Sequence, residues 1–270
     1  GSLAFFASGT KFTKAQQDQP KTPSISLHRL TPEKLNIPPQ TNWIWYPSKR
    51  TLANTFILFR KQLNIKNRIR KATGWIAADS RYKLTLNGDR IQWGPAPCDP
   101  RFLQADPVDL TDKLKHGDNV LGATVLFYGH GEGTWAAGKP GFLMYLIIEY
   151  KNGRKETIVT DDLWKCHYAR CWKPGQYKRW YLRSLQEQFD ARLFPQGWDK
   201  NKFQADQSWI PAMVLNCPQN KPPTCSSYPE YLTESKADTA QACLTGRNIP
   251  LLKEQIIKAK HLAESTRINW

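Results

Sequence analysis

Residues 82–93 read Tyr82-Lys83-Leu84-Thr85-Leu86-Asn87-Gly88-Asp89-Arg90-Ile91-Gln92-Trp93. Tyr82, Leu84 and Leu86 alternate with Lys83, Thr85 and Asn87, the period-2 pattern of a strand with one buried face. Asn87-Gly88 tolerates the positive φ angles that a type I′ turn requires, and Ile91-Gln92-Trp93 returns the chain. A β-hairpin therefore stands at the centre of the expected fold.

Strand signals continue on both sides of it. Trp43–Pro47 announces folded structure, and Thr55–Ile65 reads as a strand with Phe56, Leu58, Leu63 and Ile65 available for burial. Gly74–Ala78 is a short apolar run. Val120–Tyr128 is apolar on both faces, as a central strand should be. Phe142–Tyr150 is another strand, turned by Asn152-Gly153 into Lys155–Thr160, and Trp164–Ala169 is a short one. Between the hairpin and Val120, residues 94–118 carry Pro95, Pro97, Pro100 and Pro107, which predict a long loop. Seven or eight strands joined by turns predict an all-β sandwich or jelly roll. An irregular tail or strap over 1–40 precedes it, and the sandwich itself covers 41–216. The Pro-, Ser- and Cys-rich stretch 217–246 reads as a linker. Leu252, Ile256, Ala259 and Ala263 then recur at helical spacing, predicting a C-terminal helix within 247–270.

The chain has 270 residues, a formal charge of +16, 40% hydrophobic residues, 6 Cys and 11 Trp. That composition excludes global disorder. No apolar run is long enough for a membrane-spanning helix. The positive charge fits an acidic partner, whether nucleic acid, anionic lipid or an acidic polysaccharide. The tryptophans fit either sandwich packing or stacking on flat ligands, sugars included. Leu3–Gly9 resembles the tail of a secretory hydrophobic region. The even cysteine count suits an oxidising compartment, with Cys166/Cys171 and Cys217/Cys225 as local pairs. A secreted or periplasmic location is expected. Zinc is disfavoured, because there is no C-x-x-C and only His167 adjoins a Cys.

Signatures of known catalytic machinery are absent: no Walker loop, no G-x-S-x-G, no H-E-x-x-H. Glu187 and Asp190 are near in sequence, which does not make the spaced carboxylate pair of a glycosidase. The most unusual stretch is Tyr128-Gly129-His130-Gly131-Glu132-Gly133-Thr134-Trp135, whose glycines permit sharp bends. Here Trp135 offers a flat apolar face, and His130 and Glu132 offer hydroxyl partners, so the three are candidate carbohydrate-binding residues. Arg101 joins them as a candidate partner for a uronate carboxylate. Arg101, Arg170, Lys173, Lys178, Arg179 and Arg183 interleave with Phe102, Trp172, Tyr177, Trp180 and Tyr181. Such a pattern serves a uronate-containing glycan or single-stranded nucleic acid. Ordinary surface charge above core aromatics explains it equally well. No cofactor is expected. A structural calcium is kept open because Asp99, Asp106 and Asp109 offer oxygens.

Several segments together carry a family resemblance. Ala78-Asp79-Ser80-Arg81-Tyr82-Lys83-Leu84-Thr85-Leu86-Asn87-Gly88 resembles the hairpin of galactose-binding-like β-sandwich domains. Asp109-Leu110-Thr111 and Leu114-Lys115-His116-Gly117-Asp118-Asn119-Val120-Leu121 look like the next segment of those domains. Thr160–Lys165, Phe189-Asp190-Ala191-Arg192, Gly197-Trp198-Asp199, Ser208–Ala212 and Arg247-Asn248-Ile249-Pro250 follow in order. Over about residues 43–260 the chain resembles the N-terminal region of bacterial α-L-rhamnosidases, glycoside hydrolase family 78. The resemblance implies a galactose-binding-like accessory domain. Catalysis in that family resides in a downstream (α/α)6 barrel, where two Glu act as acid and base in inverting hydrolysis. No catalytic residue carries over to this chain, which is expected to be cut from its enzyme, with 247–270 as a connector toward the missing barrel. The implied partners are that catalytic domain and a glycan, uronate-containing to suit the charge, with no nucleic acid and no membrane span. The rivals are a purely structural domain, a complete small glycoside hydrolase, and a nucleic-acid binder using the basic-aromatic region.

Overall fold

The computed structural model describes residues 34–129, 138–175, 187–225 and 242–252, together with Glu254, Ile257, His261 and Glu264. Its strands are Ile44–Trp45 (β1), Thr55–Ile65 (β2), Ile69–Asp79 (β3), Arg81–Leu86 (β4), Asp89–Gly94 (β5), Phe102–Asp109 (β6) and Gly117–Phe127 (β7). They continue with Gly141–Tyr150 (β8), Lys155–Val159 (β9), Lys165–Tyr168 (β10), Ile210–Pro211 (β11), Met213–Val214 (β12) and Cys243–Gly246 (β13). One sheet runs β12-β1-β8-β3-β6-β13, with β9 also on β8, and the other runs β11-β10-β2-β7-β4-β5. The two form the expected β-sandwich. Among the described residues no helix is long and apolar enough to cross a membrane. The C-terminal helix expected from the Leu252–Ala263 spacing lies largely outside the described residues, and Leu251, Leu252 and Glu254 are not helical.

The hairpin forms as its sequence dictates. Asn87 and Gly88 take φ of 56° and 90°, the pair of positive angles that a type I′ turn needs. Asn87 Oδ1 accepts from Val120 N at 2.9 Å, which ties the turn to β7. Asn119 is buried and pins the preceding turn, donating to Lys115 O at 2.7 Å and accepting from Lys115 N at 3.0 Å. An internal side-chain anchor of this kind replaces the backbone partners that a turn lacks.

Strand β2 divides its apolar side chains between two faces. Ile57, Phe59, Leu63 and Ile65 face the main core, while Phe56 and Leu58 pack outward in a second cluster with Trp172, Trp198 and Trp209. Side chains alternate strictly along a strand, so even and odd positions cannot share a face. Both faces are apolar because residues 194–209 cover the outer one. Trp43, Trp45 and Trp164 are fully buried in the main core. Each satisfies its indole N–H internally, on Lys221 O, Thr51 Oγ1 and Val159 O at 2.7, 3.0 and 2.8 Å.

The expected loop 94–118 is corrected by β6. Pro107 sits inside that strand opposite Trp75 of β3. Ala105, which shares its orientation, accepts from Arg247 N on the side away from β3, and Pro107 O accepts there from Gln92 Nε2. The β13 ladder ends at Ala105, so the missing proline N–H points where no strand needs it. The expected linker 217–246 likewise contributes β13, which pairs parallel to β6. Cys166 belongs to the main core and Cys171 to the outer cluster. The sheet thus separates them, and both are free thiols rather than a disulfide. Burial pushes the Cys166 thiol up to about 12.

A buried polar junction joins the two sheets to the C-terminal strand. Asp106 of β6 is fully buried; its Oδ1 lies 2.9 Å from Arg247 Nη1, and its Oδ2 accepts from the Tyr82 hydroxyl of β4 at 2.6 Å. Gln92 Nε2 of β5 donates to the same hydroxyl at 2.9 Å. Arg247 spends its other donors on Ile249 O and Pro250 O, both at 3.1 Å. Burial and the adjacent carboxylate raise the Tyr82 phenol far above its ordinary value, so it stays a donor. Gly94 admits Asp106: a Cβ there would lie 2.1 Å from Oδ2.

Removing one partner strands the other as a buried charge. Arg247→Met should therefore lower the unfolding free energy by about 3–5 kcal/mol in urea titration. Asp106→Leu combined with Arg247→Met should recover a large part of that loss.

Candidate functional site

The outer face of the six-stranded sheet carries a cleft of about 480 Å³ between β5 and Trp172. Thr124 and Leu126 of β7 and Phe56 of β2 line its floor. The Phe56 and Trp172 rings stack at 4.3 Å with 15° between their planes. Phe189 supports Trp172 from behind at 4.9 Å. Trp172 Nε1 donates to Glu187 Oε1 at 2.5 Å, which fixes both side chains at the rim. Across the cleft stands Trp93, 55% exposed. Its register partner is Lys83, so hairpin geometry sets both on the outer face. Trp93 Nε1 donates to the Glu254 carboxylate, which also meets Arg90 at 2.6 Å. That contact orients the indole and leaves its ring open.

Flat aromatic faces flanked by polar side chains suit a ring with one apolar and one hydroxylated aspect. Among the described residues Glu187 is the one carboxylate of the lining, and it is engaged by Trp172, while Glu254 behind Trp93 is engaged by that indole and by Arg90. Asp190 is gripped by Arg192 at 2.6 and 2.9 Å, and that hydrogen bonding holds its carboxyl down to about 2. It cannot serve as a proton donor near neutral pH. Ser208 lies 3.0 Å from His167 Nδ1 and donates to Asp206 at 2.5 Å. The carboxylate thus meets the serine and not the histidine, the reverse of a hydrolytic triad. His167 stacks on Trp209 at 5.0 Å, and burial lowers its pKa.

Of the candidate residues, His130, Glu132 and Trp135 lie outside the described residues, as do Tyr177, Lys178, Arg179, Trp180, Tyr181 and Arg183. Tyr128, just before the first group, lines the cleft. Arg101 is beside the other sheet, in the turn just before β6. Its guanidinium forks onto Asp99 and lies 5.8 Å from the Phe102 ring. Arg101 and Trp172 are therefore not parts of one site. The three candidate calcium ligands are separately engaged: Asp99 by Arg101, Asp106 by Arg247 and Tyr82, Asp109 by Thr111. Among the described residues no group of three or more His, Cys, Asp and Glu could hold a metal ion. Trp93 was legible as a strand residue; only its pairing with Lys83 identifies it as outward-facing.

At the end of the sandwich, Asp79 is buried, accepts from Ser80 Oγ at 2.8 Å, and is also hydrogen-bonded by the Lys139 backbone. Burial outweighs these bonds and pushes its carboxyl up to about 7 from an ordinary 3.8.

A family model described as the α-L-rhamnosidase N-terminal domain matches residues 67–233. An α-L-rhamnosidase of Formosa agariphila is 27% identical over 190 residues, covering 63% of this chain and 20% of that protein. Among solved structures, the GH78 rhamnosidase of Bacillus sp. GL1 shares the fold with a TM-score of 0.60 at 24% identity, covering 78% of this chain and 20% of the other. The α-L-rhamnosidase of Dictyoglumus thermophilum does so at 0.56 and 22%, covering 70% and 22%. The chain spans about a fifth of the length of the curated relative from Formosa agariphila.

Asp79 sets a pH dependence. Its folded pKa of about 7 lies above the unfolded 3.8, so between those values the folded state keeps a proton that the unfolded state has lost. Stability falls as pH rises through that window and levels off above it. Asp79→Asn removes the ionisable group, so its stability relative to the parent should rise between pH 4 and 7, by an order of a few kcal/mol. Denaturant titration across that range reads the slope.

Proposed function

The chain belongs to the α-L-rhamnosidase N-terminal domain family, and we propose that it is a non-catalytic accessory module of a rhamnosidase-like glycoside hydrolase. The observation that carries this is the Trp93–Trp172 cleft, an aromatic site whose nearby carboxylates are both tied up, Glu187 by Trp172 and Glu254 by Trp93 and Arg90. Its chemistry favours binding a sugar over cleaving one.

The module has two roles. It presents the cleft to glycan, and it scaffolds a catalytic domain further along the same parent chain. Arg247 on Asp106 and Glu254 on Arg90 support the second role, because they fasten the connector to the sandwich. A uronate-containing glycan suits the net charge of +16. Plant or microbial polysaccharides lie outside the cytoplasm, so a secreted or periplasmic location accompanies this proposal.

Calorimetric titration with neutral rhamnosides and rhamnogalacturonan fragments tests the binding role. Saturable heat is expected, and Trp93→Ala should weaken it at least about tenfold. The melting temperature should be unchanged, since the Trp93 ring is largely exposed. Heat absent from a folded chain would leave only the scaffold. Release of nitrophenol from an aryl rhamnoside by this chain alone would sink the non-catalytic assignment.

A further inference from the structure

The opposite sheet carries a larger groove, of about 710 Å³, that the cleft does not reach. Strand β5 divides the two: Arg90 and Trp93 line the cleft, while Ile91 and Gln92 line the groove. The groove floor is the outer face of β3, β8 and β6, where Trp75 pairs with Tyr145 and Thr73 with Ile147. Lys34, Lys71 and Lys113 stand on its margin, and Asp109 is the one acidic residue of its lining. The Asp109 carboxylate accepts from Thr111 N at 2.9 Å, and hydrogen bonds to Thr111 with the charges of Lys71 and Lys113 hold its pKa down. Among the described residues no ion pair engages Lys34, Lys71 or Lys113.

The positive margin continues onto one pole of the sandwich. The β2–β3 and β8–β9 turns meet there through Lys151 N on Arg68 O at 2.8 Å. Lys66, Arg68, Lys151 and Arg154 are exposed around that contact. Glu149 of β8 is already shared by Arg70 and Lys155. A half-buried indole in a channel edged by three lysines against one aspartate fits a chain of rings that bear acid groups. Mobile lysines serve such groups as point charges, with no demand for fixed bidentate geometry.

We propose that this groove is a second binding site, for an acidic oligosaccharide that lays one ring on Trp75 and sets its carboxylates against Lys34, Lys71 and Lys113. It rests on the accessory-module assignment only for the class of ligand; its location and its charge preference are independent of the cleft. Attraction of this kind is screened by salt, so binding weakens as ionic strength rises.

The probe is a short oligogalacturonate, titrated at low salt beside its methyl ester and a neutral oligosaccharide. The acid should bind at least about tenfold more tightly than its ester. The double variant Lys71→Glu/Lys113→Glu changes only exposed side chains and should weaken the acid by at least about tenfold. Trp75→Ala should weaken acid and ester alike, and with the cleft impaired by Trp93→Ala the acid should still bind at least about tenfold more tightly than its ester. Equal affinity for acid and ester overturns the proposal, as does full binding by the double variant. Equally tight binding of a charge-matched oligodeoxynucleotide overturns it in favour of a general polyanion surface. Self-association lost in the double variant, without oligogalacturonate binding, overturns it in favour of a contact between copies. Loss of neutral-sugar binding in Trp93→Ala reports on the cleft alone, so the two sites fail separately.

Discussion

Asp106 is the fixed point of this domain. A carboxylate with no solvent exposure is tolerable only if its charge is met and its lone pairs are used. Arg247 and Tyr82 do both, and they arrive from different places: one after the last strand, the other from the opposite sheet. The sheets are therefore held at one edge by this polar contact and at the end of the sandwich by Asp79 and Ser80, with an apolar core between. Arg247 also reaches Ile249 O and Pro250 O, so a single guanidinium closes the sandwich and bends the outgoing chain. A motif of the form Arg-x-Ile-Pro, short and weak as a sequence signal, has a definite physical task here.

The second consequence of the architecture is that neither sheet has a plain solvent face. Residues 194–209 cover part of the six-stranded sheet with Trp198, Trp209 and Phe203. That cover buries Arg60 beneath the Phe203 ring, where burial lowers its pKa against the opposing pull of Asp199. The cleft occupies the part of the sheet that this cover leaves free. The groove occupies the corresponding space on the other sheet, along which Lys34 and Leu35 pass. Both concave surfaces thus lie where a strap stops.

The hairpin, β2, β7 and β8 were legible because period-2 alternation, Asn-Gly turns and long apolar runs are local signals. Strand β6 was hidden by Pro107, since a proline excludes a central strand only when its nitrogen faces a partner. That orientation depends on where β13 ends, which no local pattern reveals. β13 itself was hidden in a stretch whose composition is that of a linker; four residues suffice when Asp106 and Arg247 secure their end. The β2 side chains were recognised as apolar, yet their division between two clusters needed the outer cover to be known. The cleft was illegible for a similar reason. Trp93 and Trp172 are far apart in sequence, and only register and the Phe56 stack bring them together.

Strand β13 has a protective consequence. A strand at the margin of a sheet offers bare amides and carbonyls that can recruit another molecule, the first step toward aggregation. Residues 243–246 occupy that margin along Phe102–Ala105. Immediately beyond, Pro107 withholds a donor and Gln92 occupies its carbonyl. Four residues and one proline thus act as a gatekeeper. A chain shortened before Cys243 would expose a sticky border and precipitate at concentrations where the longer chain stays dispersed.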